Sequence, residues 1–145
     1  MRSMSTAALV ACLSVLAACE TVPSDGGGSG PGPMLNGVDL ARPVRALGTE
    51  PFWSVDISGS TLTFARPDYP TRTAPNPGPS MSGSSATYRS TLNDGLPLTV
   101  TLTAGTCSDG MSDRVYRLRA RVQAGGETLN GCADATDVLS RPPGA

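Results

Sequence analysis

The sequence predicts an all-β fold, a small antiparallel barrel or sandwich of about 6–8 strands. Short segments alternate apolar and polar residues with the period of two that a half-buried strand requires. Turn-forming residues separate these segments, as at Asn93-Asp94-Gly95. No segment has the apolar spacing of an amphipathic helix. The length of 145 residues fits one domain.

The first predicted hairpin covers residues 52–65. Its two runs alternate on either side of the turn Ser58-Gly59-Ser60, which places the larger apolar side chains on one face. That face, which we expect to be buried, consists of Trp53, Val55, Ile57, Leu62 and Phe64.

Four more strands are predicted after this hairpin. A weaker strand lies at residues 86–91 and a regular one at 98–102. The longest is predicted around residues 116–122, and a turn at 124–126 leads to a returning strand at 127–132. The side chains that we expect to point inward are Tyr88, Leu98, Val100, Leu102, Tyr116, Leu118, Ala120 and Val122.

Residues 67–85 show neither the helical nor the strand period. The chain has 17 Gly and 13 Pro, and many of them lie in this segment or at residues 23–33. The Pro-rich middle, residues 74–79, favours an extended and poorly packed insertion.

The first nineteen residues have the pattern of a secretion signal. A run of twelve mainly apolar residues at 7–18 follows a short basic start, and it is too short for a membrane span, which needs about 20 residues. Leu16-Ala17-Ala18-Cys19 resembles the lipobox of bacterial lipoproteins. The resemblance implies cleavage before Cys19 and acylation of that residue; the alternative is an ordinary signal peptide with a chance Cys.

The sequence therefore predicts four regions. Residues 1–18 are a lipoprotein signal peptide, and residues 19–43 are a lipidated flexible tether of linker composition. Residues 44–138 are the β domain, and residues 139–145 are a disordered tail. We expect the membrane to be a partner through the lipid anchor, and the location to be the cell envelope. Glu20 after the acylated Cys favours the outer membrane, facing the periplasm.

Composition excludes several kinds of chemistry. All 11 basic residues are Arg, and Lys and His are absent. Catalytic triads need an imidazole base, while Schiff-base enzymes and the Walker phosphate loop need Lys. A net charge of -1 argues against nucleic-acid binding. We expect no enzyme activity, no cofactor and no metal.

Cys107 and Cys132 are predicted to form a disulfide. They remain as an even pair in an exported chain once Cys12 is removed with the signal and Cys19 is acylated. The bond would close a loop of roughly 25 residues and stabilise the fold by about 3–4 kcal/mol. Two free thiols are the alternative, although no C-x-x-C motif supports a redox role.

Glu50 is the first candidate site residue. It lies beside Pro51, Phe52 and Trp53, and partial burial there would raise its pKa and suit it to acid–base work. The alternative is a turn in which Glu50 pairs with an Arg or caps the loop. The segment 107–114 superficially resembles a calcium loop, but it lacks most of the ligands, so Asx-type turns explain it better.

Arg117, Arg119 and Arg121 form a basic stripe on the outer face of the longest predicted strand. Such a stripe could bind anionic lipid head groups or an acidic partner. The alternative is a solvated face whose arginines pair with acids on neighbouring strands, for example Glu127.

Three segments together carry a resemblance to a known family. They are Gly48–Trp53, Cys107–Asp113 and the segment Asn130-Gly131-Cys132-Ala133. In this order they resemble a family of uncharacterised bacterial envelope lipoproteins, over about residues 44–134. The resemblance implies a small β module of the kind found beside META-type and lysozyme-inhibitor domains. The inhibitory motif itself does not carry over, because Ser82-Gly83 precedes Tyr88 at the wrong spacing and Lys is absent.

The leading interpretation is a lipid-anchored envelope protein that binds a partner or has a structural role. A binding patch would use Phe52, Trp53 or the arginine stripe, with an envelope protein or a glycan as partner. One alternative is a carboxylate-dependent cell-wall hydrolase using Glu50 with Asp109 or Asp113. Others are an inhibitor of a host or phage hydrolase and a passive envelope component.

Overall fold

The computed structural model describes residues 32–144, which fold almost entirely as β-structure. The strands are β1 (Met34–Leu35), β2 (Val38–Asp39), β3 (Val44–Thr49), β4 (Phe52–Ser58), β5 (Thr61–Ala65), β6 (Arg72–Pro75), β7 (Ser80–Ser82), β8 (Ser85–Thr91), β9 (Pro97–Ser108), β10 (Val115–Ala124) and β11 (Glu127–Ala135). One short helix, α1 (Thr136–Leu139), follows. The predicted signal peptide, Cys19 and the first part of the predicted tether lie outside the described residues. Within those residues no helix is long and apolar enough to cross a membrane.

The all-β prediction is confirmed. Nine strands form one antiparallel sheet in the order β6-β5-β4-β3-β11-β10-β9-β8-β7, and β1 and β2 form a separate hairpin. The sheet curls into a half-barrel. Its β6 edge returns towards the end of β8, where the amide of Asn93 donates to the Thr73 carbonyl oxygen at 2.8 Å. The hydroxyl of Ser90 donates to the Pro75 carbonyl oxygen at 2.6 Å.

The concave side of the sheet holds the core, and the predicted alternation places the right residues there. Trp53 pairs across strands with Gly48, and Val55 pairs with Ala46 on one side and Phe64 on the other. Every side chain that the sequence predicted to point inward is buried. They are Trp53, Val55, Ile57, Leu62, Phe64, Tyr88, Leu98, Val100, Leu102, Tyr116, Leu118, Ala120 and Val122.

The folded part begins earlier than the predicted boundary at residue 44. β1 and β2 form a hairpin around Asn36 and Gly37, whose φ angles are 47° and 78°. Leu35, Val38 and Leu40 are buried in the core. The Asn-Gly pair is a strong hairpin signal, but it lies at the end of a Gly- and Pro-rich stretch. The prediction of a flexible tether over residues 19–43 is therefore wrong for its last part, which packs on the sheet.

The predicted insertion at residues 67–85 also differs from the structure. It contributes the two edge strands of the sheet, β6 and β7. Only Ala74 of these strands is buried, so neither strand carries an alternating apolar pattern. Pro75 has no N–H to donate, and this is tolerated because β6 is an edge strand of the described sheet, with no further strand to accept the hydrogen bond.

The start of the predicted tail, residues 139–145, is held against the domain. The guanidinium of Arg114 donates to the carbonyl oxygen of Val138 at 3.1 Å and to that of Arg141. The amide of Ser140 closes α1 by donating to the Thr136 carbonyl oxygen at 3.0 Å. The tail therefore begins later than residue 139.

Two buried tyrosines, one with and one without a hydrogen-bond partner in the described part of the chain, give a matched test of what a buried hydroxyl contributes. The hydroxyl of Tyr88 is buried without a hydrogen-bond partner among residues 32–144, and burial raises its pKa to about 12. The hydroxyl of Tyr116 donates to Asp109 Oδ2 at 2.8 Å. We expect Tyr88→Phe to leave the free energy of unfolding unchanged or raise it, because it removes an unsatisfied polar group. Tyr116→Phe should lower it by about 1–2 kcal/mol.

Urea unfolding of both variants beside the wild-type protein measures this difference. A loss for Tyr88→Phe as large as the loss for Tyr116→Phe would show that the Tyr88 hydroxyl has a partner in solution.

Candidate functional site

The three sequence segments that carry the family resemblance meet at one place in the fold. Trp53 on β4 lies beside Gly48 on β3 and reaches Gly131 on β11. A Cβ atom at Gly48 would lie 2.1 Å from Trp53 Nε1. A Cβ at Gly131 would lie 2.9 Å from Trp53 Cζ2 and 1.9 Å from the Leu47 carbonyl oxygen. The indole ring therefore occupies the space that side chains at both glycines would need.

Apolar packing holds this ring. Trp53 is only 3% exposed, and its indole N–H has no hydrogen-bond partner within the described residues. An aromatic ring lying across glycines of neighbouring strands is a known way to fill the gap that glycine leaves in a sheet. The ring thus links β4, β3 and β11.

The disulfide connects the remaining segment to this cluster. Cys107, near the end of β9, is bonded to Cys132 on β11, with 5.6 Å between their Cα atoms. The hydroxyl of Thr49 at the end of β3 donates to the Asp109 carbonyl oxygen at 2.8 Å. The predicted disulfide is confirmed, and it fixes the segment 107–113 beside the turn between β3 and β4.

Asp109 organises the loop between β9 and β10. Its carboxylate accepts hydrogen bonds from the amides of Met111 at 2.9 Å and Ser112 at 2.8 Å. The hydroxyls of Ser112 and Tyr116 donate to the same carboxylate, each at 2.8 Å. This is the predicted Asx-type turn. Desolvation acts to raise the pKa of Asp109, but these hydrogen bonds outweigh it and hold the pKa well below its usual range.

A groove of about 400 Å³ lies beside this cluster. Its floor is a cross-strand row formed by Leu47, Ser54 and Ala65, which alternate with the buried residues of β3, β4 and β5. Its walls include Phe52, Arg45, Arg66, Pro67, Asp109 and Tyr116. We refer to it as the Phe52 groove.

The arginines of the Phe52 groove are paired with carboxylates. Arg45 Nε lies 3.0 Å from Asp56 Oδ1, and Arg66 Nη1 lies 2.6 Å from Glu127 Oε2. The guanidinium of Arg66 also stacks on Tyr69, with its Cζ 5.0 Å from the ring centroid. The groove therefore presents charged hydrogen-bonding groups without an unpaired cation.

The structure separates the predicted site residues of the first hairpin. Phe52 is 53% exposed at the groove, whereas Trp53 is buried beneath it. Glu50 is exposed in the turn between β3 and β4, which fits the alternative of a turn residue and not the option of partial burial. The reason is that the turn between β3 and β4 projects into solvent, and both residues that follow Glu50 are exposed as well.

The three arginines of the predicted stripe have different surroundings. The guanidinium of Arg117 forms an ion pair with Asp134, which is only 1% exposed. Arg119 Nε donates to the Thr106 carbonyl oxygen at 3.3 Å, and Arg121 is exposed. Glu127, suggested by the sequence as a partner, pairs with Arg66. The stripe is therefore not a uniform basic surface.

Asp134 is a buried charge that the sequence did not indicate. Its carboxylate accepts the Arg117 amide at 3.1 Å and Arg117 Nε at 2.9 Å. Desolvation acts to raise the pKa of Asp134, but the hydrogen bonds from Arg117 and from the Ala135 amide lower it below its usual range. The guanidinium of Arg117 also holds the hairpin of β1 and β2, because it donates to the Gly37 carbonyl oxygen at 2.8 Å.

Comparisons with known proteins give no match: no family model, no curated protein and no solved structure is similar to this chain. Within residues 32–144 no group of three or more His, Cys, Asp or Glu side chains is placed to hold a metal ion.

The sequence predicted Phe52 and Trp53 as site residues but did not indicate Arg45, Arg66 and Tyr116 as parts of the site. Cross-strand register, which unites them, is not visible in local sequence patterns.

Alanine at the two glycines under the indole should destabilise the protein. We expect Gly48→Ala to lower the free energy of unfolding by about 2–3 kcal/mol, because overpacking forces the ring or the strand to move. Gly131→Ala should cost at least as much, because its Cβ would meet a backbone oxygen. Gly126→Ala is the matched control, since a Cβ there meets nothing within 4 Å. Thermal or urea unfolding of the three variants measures this; equal stabilities would contradict the packing described.

The ion pair of Arg117 and Asp134 should make stability depend on pH. The folded pKa of Asp134 is depressed, so its contribution is present above the unfolded value of about 3.9 and is lost as the pH falls through the folded pKa. Arg117→Met should cost about 2–3 kcal/mol at pH 7, because it leaves a buried carboxylate without its cation. The difference from wild type should shrink as the pH is lowered from 7 to 4, because protonation relieves the unpaired charge.

Arg121→Met is the control for this prediction, since Arg121 is exposed on the same strand. Unfolding curves at several pH values test both variants. A loss of stability for Arg117→Met that is the same at pH 4 and pH 7 would contradict the electrostatic explanation.

Proposed function

We propose that this chain is a lipid-anchored protein of the bacterial cell envelope that acts by binding and not by catalysis. The lipobox-like segment that ends at Cys19 supports the anchor. The disulfide between Cys107 and Cys132 supports an extracytoplasmic location, because such bonds persist in oxidising compartments. The outer membrane, with the domain facing the periplasm, is the location that Glu20 favours.

We assign binding to the Phe52 groove. The observation that carries this assignment is an aromatic side chain, 53% exposed, held at the groove by a rigid base. The base consists of the packed Trp53, the disulfide and the hydrogen bond from Thr49 to the Asp109 carbonyl oxygen. Exposed aromatic residues on a fixed framework contribute binding energy at a low cost in conformational entropy.

The candidate acids fit a hydrolase less well. A glycoside hydrolase needs one carboxylic acid with a raised pKa to protonate the leaving group. The pKa of Asp109 is lowered and not raised, because its carboxylate accepts four hydrogen bonds. Glu50 is exposed in a turn. Binding is therefore the function that the geometry supports best.

Two arms of one experiment test this proposal in cells. In the first, the wild-type chain and Cys19→Ala are expressed in a Gram-negative host with an alkyne analogue of palmitate. We expect the wild-type protein alone to be labelled and to fractionate with membranes. Equal labelling of Cys19→Ala would contradict the lipid anchor.

In the second arm, a photo-crosslinking amino acid replaces Phe52 in cells that naturally carry the protein. The control position is Met81, which is 43% exposed on the edge strand β7. We expect a discrete adduct from position 52 that position 81 does not give. The same adduct pattern from both positions, or none from position 52, would contradict binding at the groove.

A further inference from the structure

We propose that the Phe52 groove is one end of a longer binding surface for an uncharged glycan chain. This inference rests on the proposed binding function and adds the class of ligand. The surface runs from the Phe52 groove past Arg66 to Tyr69 and Arg72. Three independent features of the described residues support it.

The first feature is the distribution of aromatic side chains. The chain has six Phe, Tyr and Trp residues. Four of them are buried: Trp53, Phe64, Tyr88 and Tyr116. The other two, Phe52 and Tyr69, are 53% and 63% exposed. Both border one cavity of about 370 Å³ that also contains Arg66. Exposed aromatic area is thus concentrated at one place on the described surface.

The second feature is the continuity of the cavities. Arg66 lines the Phe52 groove, the cavity between Phe52 and Tyr69, and a larger one of about 750 Å³ beyond Tyr69. The larger cavity lies at the end of the half-barrel, between the segment 69–72 and the turns that precede β9 and β11. Three cavities in succession offer room for several sugar units in a row, and not only for a single small molecule.

The third feature is the pairing of charges along this surface. Arg45 pairs with Asp56 at 3.0 Å, Arg66 with Glu127 at 2.6 Å, and Arg72 with Asp94 at 3.0 Å. Each guanidinium has further N–H groups to donate, and each carboxylate has further lone pairs to accept. Glu50 and Asp109 also line this surface and are in none of its three ion pairs. An anionic ligand would therefore meet five carboxylates, and a cationic ligand would meet the three guanidinium groups.

A ligand suited to such pairs donates and accepts hydrogen bonds at closely spaced positions and has no net charge. Sugar hydroxyl groups do both, because each has one donor and two acceptor lone pairs. The C–H faces of a pyranose ring are apolar and suit stacking on Phe52 and Tyr69. Binding sites of this kind combine aromatic area with a few fixed polar groups. The chemistry of the surface therefore matches a neutral glycan.

The surface is also ordered before binding. The segment after β5 carries Pro67 and Pro70, which restrict the backbone. The Arg66 guanidinium stacks on Tyr69 while it pairs with Glu127, so it links the segment to β11. Side chains already held in place lose less entropy when a ligand binds.

Titration with chitohexaose, a neutral hexamer of N-acetylglucosamine, tests the inference. Binding is measured by isothermal titration calorimetry, because the single tryptophan of the chain, Trp53, is buried beneath the Phe52 groove. We expect a saturable heat change for the wild-type protein. Phe52→Ala and Tyr69→Ala should each weaken binding at least about tenfold, the effect of losing about 1.4 kcal/mol of stacking. Met81→Ala, at the far edge of the sheet, should bind like wild type.

Unfolding curves of the three variants should match wild type, because the substituted side chains are exposed. The inference is overturned if chitohexaose and cellohexaose both fail to bind, or if binding survives loss of both Phe52 and Tyr69. It is also overturned if polygalacturonate or a proline-rich peptide binds more tightly than the neutral sugars. These outcomes concern the ligand class alone, since labelling at Cys19 and crosslinking at position 52 test the anchor and the binding site separately.

Discussion

The packing of the Trp53 indole across Gly48 and Gly131 is the constraint on which the rest of the site depends. It brings three strands, β4, β3 and β11, to one aromatic ring. Successive residues of a strand point to opposite faces, so burial of Trp53 sends its neighbour Phe52 to the outer face. The exposure of Phe52 at the groove and the burial of Trp53 in the core thus both follow from the orientation of β4.

A disulfide and several buried hydrogen bonds add to the stability that the small hydrophobic core provides. The disulfide, which closes a loop with a sequence separation of 25, stabilises the fold by about 3.5 kcal/mol in the chain-entropy model. Asp109 and Asp134 each collect several hydrogen bonds and thereby fix a loop or a hairpin to the sheet. Arg117 links Asp134 to the hairpin of β1 and β2. Of these links, the disulfide and the hydrogen bonds of Asp109 hold a segment that lines the groove, which a binding surface requires.

Much of the sheet could be predicted from the sequence, because alternation is a local signal. The hairpin at residues 52–65 and the inward faces of β9 and β10 have clear periods of two, and the structure confirms them. The disulfide could be predicted by elimination among four cysteines. Short strands were missed where composition hid them: β1 and β2 follow a linker, and the edge strands β6 and β7 contain few buried residues. The partner of Arg117 lies 17 positions away on another strand, so no local pattern reveals it.

A double-mutant cycle between Trp53 and Gly48 tests the central claim most directly. The cost of Gly48→Ala is measured by urea unfolding in the wild-type protein and again in Trp53→Leu, whose smaller side chain leaves space at the glycine. If the indole occupies that space, most of the cost disappears in the Trp53→Leu background, with a coupling of about 2 kcal/mol. Equal costs in the two backgrounds would mean that the ring does not contact Gly48, and the account of the site would be wrong.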